Sequence, residues 1–109
     1  MPYSHALADR VRDVLARRRG FIEKKMFGGV ASFLNGNICV GIWGSSLIAR
    51  VGPDEGPAAL KEPFVEPFAP TGKAMTGWVL VAPDGIDTDE QLKVWIERAI
   101  SFAKTLPAK

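Results

Sequence analysis

The chain has 109 residues, enough for one domain with a single core, and 47% apolar against 24% charged residues argues against disorder. Its one cysteine, Cys39, excludes an intrachain disulfide and a thiolate-rich metal site, and no apolar run reaches the ~20 residues of a membrane span. The net charge of +2 is unevenly spread: residues 1–25 hold seven Lys/Arg against three Asp/Glu, and the remainder is net acidic.

Ser4 is placed to cap a helix running to about Arg19, with Leu7, Val11, Val14 and Leu15 in one stripe and Gly20 as its C′ residue. An extended run from Lys24 to Leu34 then leads into Asn35-Gly36, the pair best suited to a two-residue type I′ turn. That turn sets Phe33 opposite Ile38 and Ala31 opposite Val40, so that Phe33, Ala31, Ile38, Val40 and Ile42 share a face and Trp43 lies on the other. A three-residue loop through Asn37 is the alternative register, with Leu34 opposite Ile38. After a turn at Gly44-Ser45-Ser46, Leu47 to Val51 reads as a third strand.

Residues 54–62 read as a short helix with Asp54 and Glu55 in its first turn, although Gly56-Pro57 weakens it. Pro63, Pro67 and Pro70 restrict Phe64 to Ala69 to an edge strand. A turn at Thr71-Gly72-Lys73 precedes a buried strand from Gly77 to Ala82, which Pro83-Asp84-Gly85 breaks. Thr88 and Gln91 make a capping box for the last helix, whose apolar face comprises Leu92, Trp95, Ile96, Ala99, Ile100, Ala103 and Leu106 before Pro107. The resulting order, α-β-β-β-α-β-β-α, predicts an α+β fold: an antiparallel sheet with flanking helices, as one domain over 1–109.

Nucleophilic catalysis needs a nucleophile beside a base. The single histidine, His5, falls at the start of the first helix, and Cys39 falls mid-strand, where a buried thiol is a small hydrophobe. The carboxylates at Asp54/Glu55 and at Asp84, Asp87, Asp89 and Glu90 suit helix starts without invoking a metal. Phe27-Gly28-Gly29 lacks the Lys and the following helix of a phosphate loop, and reads as a bulge or close backbone approach. No enzymatic activity, cofactor or metal is expected, and the absence of a secretory signal or membrane span points to the cytoplasm.

Three binding readings follow. Trp43, if no helix covers it, and Arg50, a charge within an apolar strand, are candidates for a protein interface. Arg10, Arg17, Arg19, Lys24 and Lys25 are candidate nucleic-acid contacts, although Asp9–Arg12 and Asp13–Arg17 are spaced as local ion pairs and Arg18 lies along the apolar stripe. Lys25, Arg50 and Lys73 are candidates for a small-anion site.

The run Glu23-Lys24-Lys25-Met26-Phe27-Gly28-Gly29-Val30-Ala31-Ser32-Phe33, followed by Asn35-Gly36-Asn37, resembles the opening signature of the TfoX/Sxy N-terminal domain family. Arg50-Val51, Gly72-Lys73-Ala74-Met75-x-Gly77-Trp78 and Trp95-x-x-x-Ala99-x-x-Phe102-Ala103-x-x-Leu106-Pro107 are similar to it as well. The resemblance implies an antiparallel sheet with flanking helices and a regulatory role. Named members assist a cyclic-AMP receptor protein at competence promoters and carry a second, C-terminal domain. It supplies no catalytic residues, and makes a protein, of the transcription machinery for instance, the first expected partner; DNA, expected from the basic residues alone, comes second.

Overall fold

The structure, a computed structural model, describes residues 3–26 and 28–108. Its elements are α1 (His5–Leu15), β1 (Phe21–Met26), β2 (Gly29–Leu34), β3 (Asn37–Trp43), β4 (Ser46–Arg50), α2 (Gly56–Ala59), β5 (Val65–Pro67), β6 (Trp78–Val81) and α3 (Asp89–Ala103), with a short 3₁₀ turn at Pro83–Gly85. The strands form one antiparallel six-stranded sheet in the order β1-β2-β3-β4-β6-β5. The α+β class is as expected, and the extended run read over 24–34 is itself a hairpin. Its turn follows Met26, with Gly28 at φ +75 supplying the left-handed residue.

Both long helices start where the sequence places them. The Ser4 side chain accepts from the Leu7 amide, and Thr88 and Gln91 form a reciprocal capping box. The first helix stops at Leu15, short of the expected Arg19, and Gly20 (φ +88) serves the turn into β1, where its carbonyl accepts from Asn35. α2 is a single turn, and β5 is a three-residue edge strand, as its prolines dictate.

Asn35 and Gly36 take φ of +52 and +84, so the two-residue turn forms and Leu34 pairs with Asn37, Phe33 with Ile38. Beyond that pair the expected register fails. A bulge at Cys39 inserts one residue, so Ala31 faces Gly41, Ser32 faces Val40 and Val30 faces Ile42. Val40 and Ile42 therefore point away from the Phe33, Ala31 and Ile38 face, toward the helices.

The main core lies between the sheet and α1/α3. Leu7, Val11 and Leu15 of α1 and Leu92, Ile96, Ala99 and Ile100 of α3 pack on Val40, Ile42, Leu47, Ala49, Val79 and Val81. The other face carries Ala31, Ile38, Gly41, Trp43, Ile48, Arg50, Trp78 and Leu80 by strand alternation, and among the described residues the apolar stripes of α1 and α3 pack on the opposite side from it. Part of it is sealed by the connection from β5 to β6. Phe68, 1% exposed, sits edge-on to Trp43 at 5.4 Å and stacked on Trp78 at 6.0 Å, and the Met75 amide donates to the Phe68 carbonyl. Two layers of apolar packing thus sandwich the sheet, the second much thinner than the first.

Candidate functional site on the helix-free face

Arg50 ends β4 on this thinner side, paired across the sheet with Trp78. The structure sets aromatic rings beside it. Its guanidinium lies 5.2 Å from the Trp78 ring centre and 5.4 Å from that of Phe102, and among the described residues it has neither an ion pair nor a hydrogen bond. The two rings lie within cation–π range of the guanidinium, whose donors remain available.

The backbone around Arg50 explains the geometry. Val51 and Gly52 both donate to the Gly77 carbonyl at 3.0 Å, which closes the end of β4 onto β6. Gly52 has φ +94, and a Cβ there would stand 2.7 Å from Cε1 of Phe102; one at Gly77 (φ +85) would stand 2.8 Å from the Gly52 carbonyl carbon. Glycine at both positions lets α3 deliver Phe102 to Arg50.

Trp43, half-buried on β3, shares the face with Arg50 and packs on Phe68. The sequence alone does not reveal that Trp78 and Phe102 join it, because their convergence depends on the β4–β6 pairing and on the end of α3. The only hint is their place beside Gly77 and Ala103 in the family-like runs.

The small-anion grouping does not assemble. Lys25 pairs with Val30 on the helix side of β1, whereas Arg50 is three strands away on the opposite face; Lys73 is exposed in the β5–β6 connection. Three interstrand steps alone separate Lys25 from Arg50 by about 14 Å.

The basic cluster divides. Arg10 donates from one guanidinium nitrogen to the carbonyls of Ile86 (2.9 Å) and Asp87 and reaches Asp89 at 3.4 Å, tying α1 to the start of α3. Arg12 clasps Glu23 with two bonds at 2.8 and 2.9 Å and also holds Asp9, which raises its pKa above the usual arginine value. Arg18 pairs with Glu97 of α3. The expected Asp13–Arg17 pair is not among the ion pairs formed. Arg17, Arg19, Lys24 and Lys25 stay exposed and unpaired with carboxylates among the described residues, Lys24 lying 5.3 Å over Phe33.

Cys39, 0% exposed, sits at the bulge; burial pushes its thiol up to about 12, the nearby charges of Arg18 and Arg50 only partly opposing. His5 is exposed, its ring 4.7 Å from that of Tyr3. Among the described residues no three His, Cys, Asp or Glu side chains converge on a common point, and no helix is long and apolar enough to cross a membrane.

Two helices over one face of a six-stranded antiparallel sheet, with an aromatic-flanked arginine on the other, define a small α+β domain with a polar-tipped aromatic surface. A family model, that of the TfoX N-terminal domain, matches residues 13–103, and the chain belongs to that family. Comparison with curated proteins and with solved structures gave no match. The structure also accounts for the Gly28-Gly29 pair of the family-like run: Gly28 supplies a positive φ, and a Cβ at Gly29 would overlap the Ile42 carbonyl oxygen. Phe27, between Met26 and that pair, lies outside the described residues.

Proposed function

We propose that this chain is a non-catalytic regulatory module that binds a partner protein through the helix-free face, with Arg50 as the polar anchor and Trp43 and Trp78 as its apolar surround. The observation that carries the reading is the state of Arg50: half-buried, its guanidinium near two aromatic rings and lacking any carboxylate among the described residues. Arginine and tryptophan are the side chains most enriched at energetic centres of protein interfaces, and an aromatic-flanked guanidinium is well disposed to receive a carboxylate. Family membership supports the regulatory character, and a partner in the transcription machinery, in the cytoplasm, is the specific form of the proposal.

The test compares proteins captured from lysate by wild type, Arg50→Ala and Trp43→Ala. The reading expects one or more proteins retained by wild type and lost from both variants while the variants stay folded by circular dichroism. Identical partner lists for all three would refute it.

A second reading, direct nucleic-acid binding, is favoured by the four exposed cations Arg17, Arg19, Lys24 and Lys25, which no carboxylate neutralises among the described residues. Duplex DNA should then be retarded at about 50 mM salt and released steeply by 200 mM. Absence of retardation at the lower salt would remove this reading.

A further inference from the structure

The chain forms a small cavity between its basic turn and the end of α3, and three segments meet there. Arg18 and Arg19 come from the turn linking α1 to β1, Phe21 and Leu34 from the paired ends of β1 and β2, and Ile100 and Lys104 from the end of α3. The cavity measures about 270 Å³. Its floor is apolar: Leu34 and Ile100 belong to the core, and Phe21 packs partly against it. The turn is fixed above that floor. The Gly20 carbonyl accepts from the Asn35 amide at 3.2 Å, and a Cβ on Gly20, whose φ is +88, would stand 3.3 Å from Leu34 Cδ1.

The charged part of the wall is all of one sign. Among the described residues, Arg18, Arg19 and Lys104 are its ionisable side chains, and it holds no acid. Arg18 is paired with Glu97, whereas Arg19 and Lys104 are exposed and form no ion pair among the described residues. Nor does α3 need the Lys104 ammonium to cover its last carbonyls. Those of Ile100, Phe102 and Ala103 already accept from the amides of Lys104, Thr105 and Leu106. Two unpaired cations beside an apolar floor suit an anion that carries hydrocarbon.

We propose that this cavity binds a small organic carboxylate with a compact aromatic or branched aliphatic body. The body rests on Phe21, Leu34 and Ile100, and Arg19 and Lys104 receive the carboxylate. Arginine offers two donors in a fork that matches a carboxylate, and lysine adds a mobile point charge. The volume suits a body of about one ring, below the ~300–1,000 Å³ of sites for larger ligands. The site shares no residue with the helix-free face, and it shares Arg19 but not Lys104 with the nucleic-acid reading.

The test titrates phenylacetate into the isotope-labelled protein and reads amide shifts, with phenylacetamide as the neutral analogue and inorganic phosphate as the bare anion. Phenylacetate should shift amides of residues 18–21, 34 and 100–104 with a Kd of about 1 mM. Phenylacetamide and phosphate should each bind at least about tenfold less well, since one lacks the charge and the other the hydrocarbon. Arg19→Gln and Lys104→Gln should each weaken phenylacetate by about threefold or more, and the double variant by about tenfold or more. Both side chains are exposed, so the variants should melt within about 2 °C of wild type. Arg50→Ala should bind phenylacetate as wild type does, which separates failure of this site from failure of the helix-free face. No shifts at about 20 mM phenylacetate, equal binding of phenylacetamide, or undiminished binding by the double variant would overturn the inference. Phosphate bound as tightly as phenylacetate would assign the cations to a phosphate backbone, and would overturn it too.

Discussion

Replacing Gly29 by alanine tests the packing argument at its tightest point. Gly29 does not need a positive φ; what forbids a side chain is the Ile42 carbonyl oxygen, which an added Cβ would overlap. That oxygen belongs to buried backbone in the middle of the sheet, and the next residue, Val30, is registered opposite Ile42. Relief therefore requires β2 and β3 to separate locally. Overpacking of this kind costs about 1–3 kcal/mol, and each ladder bond lengthened past usefulness adds about 1 kcal/mol. A loss of about 3 kcal/mol follows, a large part of the ~5–15 kcal/mol typical of a domain, and it lowers the melting temperature by roughly 10–20 °C. Gly44 provides the contrast, since it has φ +61 but no atom within 4 Å of an added Cβ. Gly44→Ala should cost only the left-handed backbone penalty, about 1–2 kcal/mol, and Gly44→Asn should recover most of it. Gly29→Asn should recover nothing. Urea unfolding of the four variants measures all of this. A Gly29→Ala protein within about 0.5 kcal/mol of wild type would refute the close approach as the reason for glycine there.

Three further outcomes are expected. Because Cys39 holds its proton to about 12 when folded and to near its ordinary value of 9 when unfolded, the unfolded chain ionises first, and stability should fall as pH rises from 9 toward 12. The slope is about 1.4 kcal/mol per pH unit, and urea unfolding across that range should show it in wild type and not in Cys39→Ala; equal slopes would contradict it. Arg50→Ala removes two ring contacts and no ion pair among the described residues, so it should cost no more than about 2 kcal/mol by the same unfolding assay, a loss far too small to explain missing partners by misfolding. Thr88→Ala strips the capping box of α3, where the Thr88 oxygen accepts from the Gln91 amide at 3.1 Å, and should lower the melting temperature by several degrees for a loss of about 1 kcal/mol.

Local chemistry was readable wherever one residue type answers one backbone demand. Ser4 and Thr88 accept amides at helix starts, and Asn35-Gly36 takes the two positive φ values of its turn. The prolines around β5 confine it to an edge. The failures arise where both faces of the sheet are apolar. In β3, Ile38, Val40 and Ile42 alternate as though they lined one face, but Cys39 adds a residue and sends Val40 and Ile42 to the helix side. With Phe68 sealing much of the second face, residues on either side are buried, so hydrophobicity does not report which way a side chain points. The β1–β2 hairpin was hidden for a related reason: a glycine pair within an extended run marks a turn as readily as a close approach, and here Gly28 does one and Gly29 the other.

The candidate site was legible only in part. Trp43 and Arg50 stand out in the sequence as an aromatic and a charge among apolar strand residues, and the structure places both on the helix-free face. Their neighbours Trp78 and Phe102 come from β6 and α3, and local sequence does not indicate that they meet. The basic residues looked like one group from residue counts, yet Arg10, Arg12 and Arg18 serve as ties from the first helix region to α3 and β1.

Photo-crosslinking in cells decides most directly what this surface touches. A benzophenone side chain at Ser46, on the helix-free face beside Trp43, is compared with one at Arg19 in the exposed basic turn. The account predicts a discrete adduct from position 46 that protease destroys and nuclease leaves intact, and that Arg50→Ala abolishes. Adducts confined to position 19 and sensitive to nuclease would contradict it.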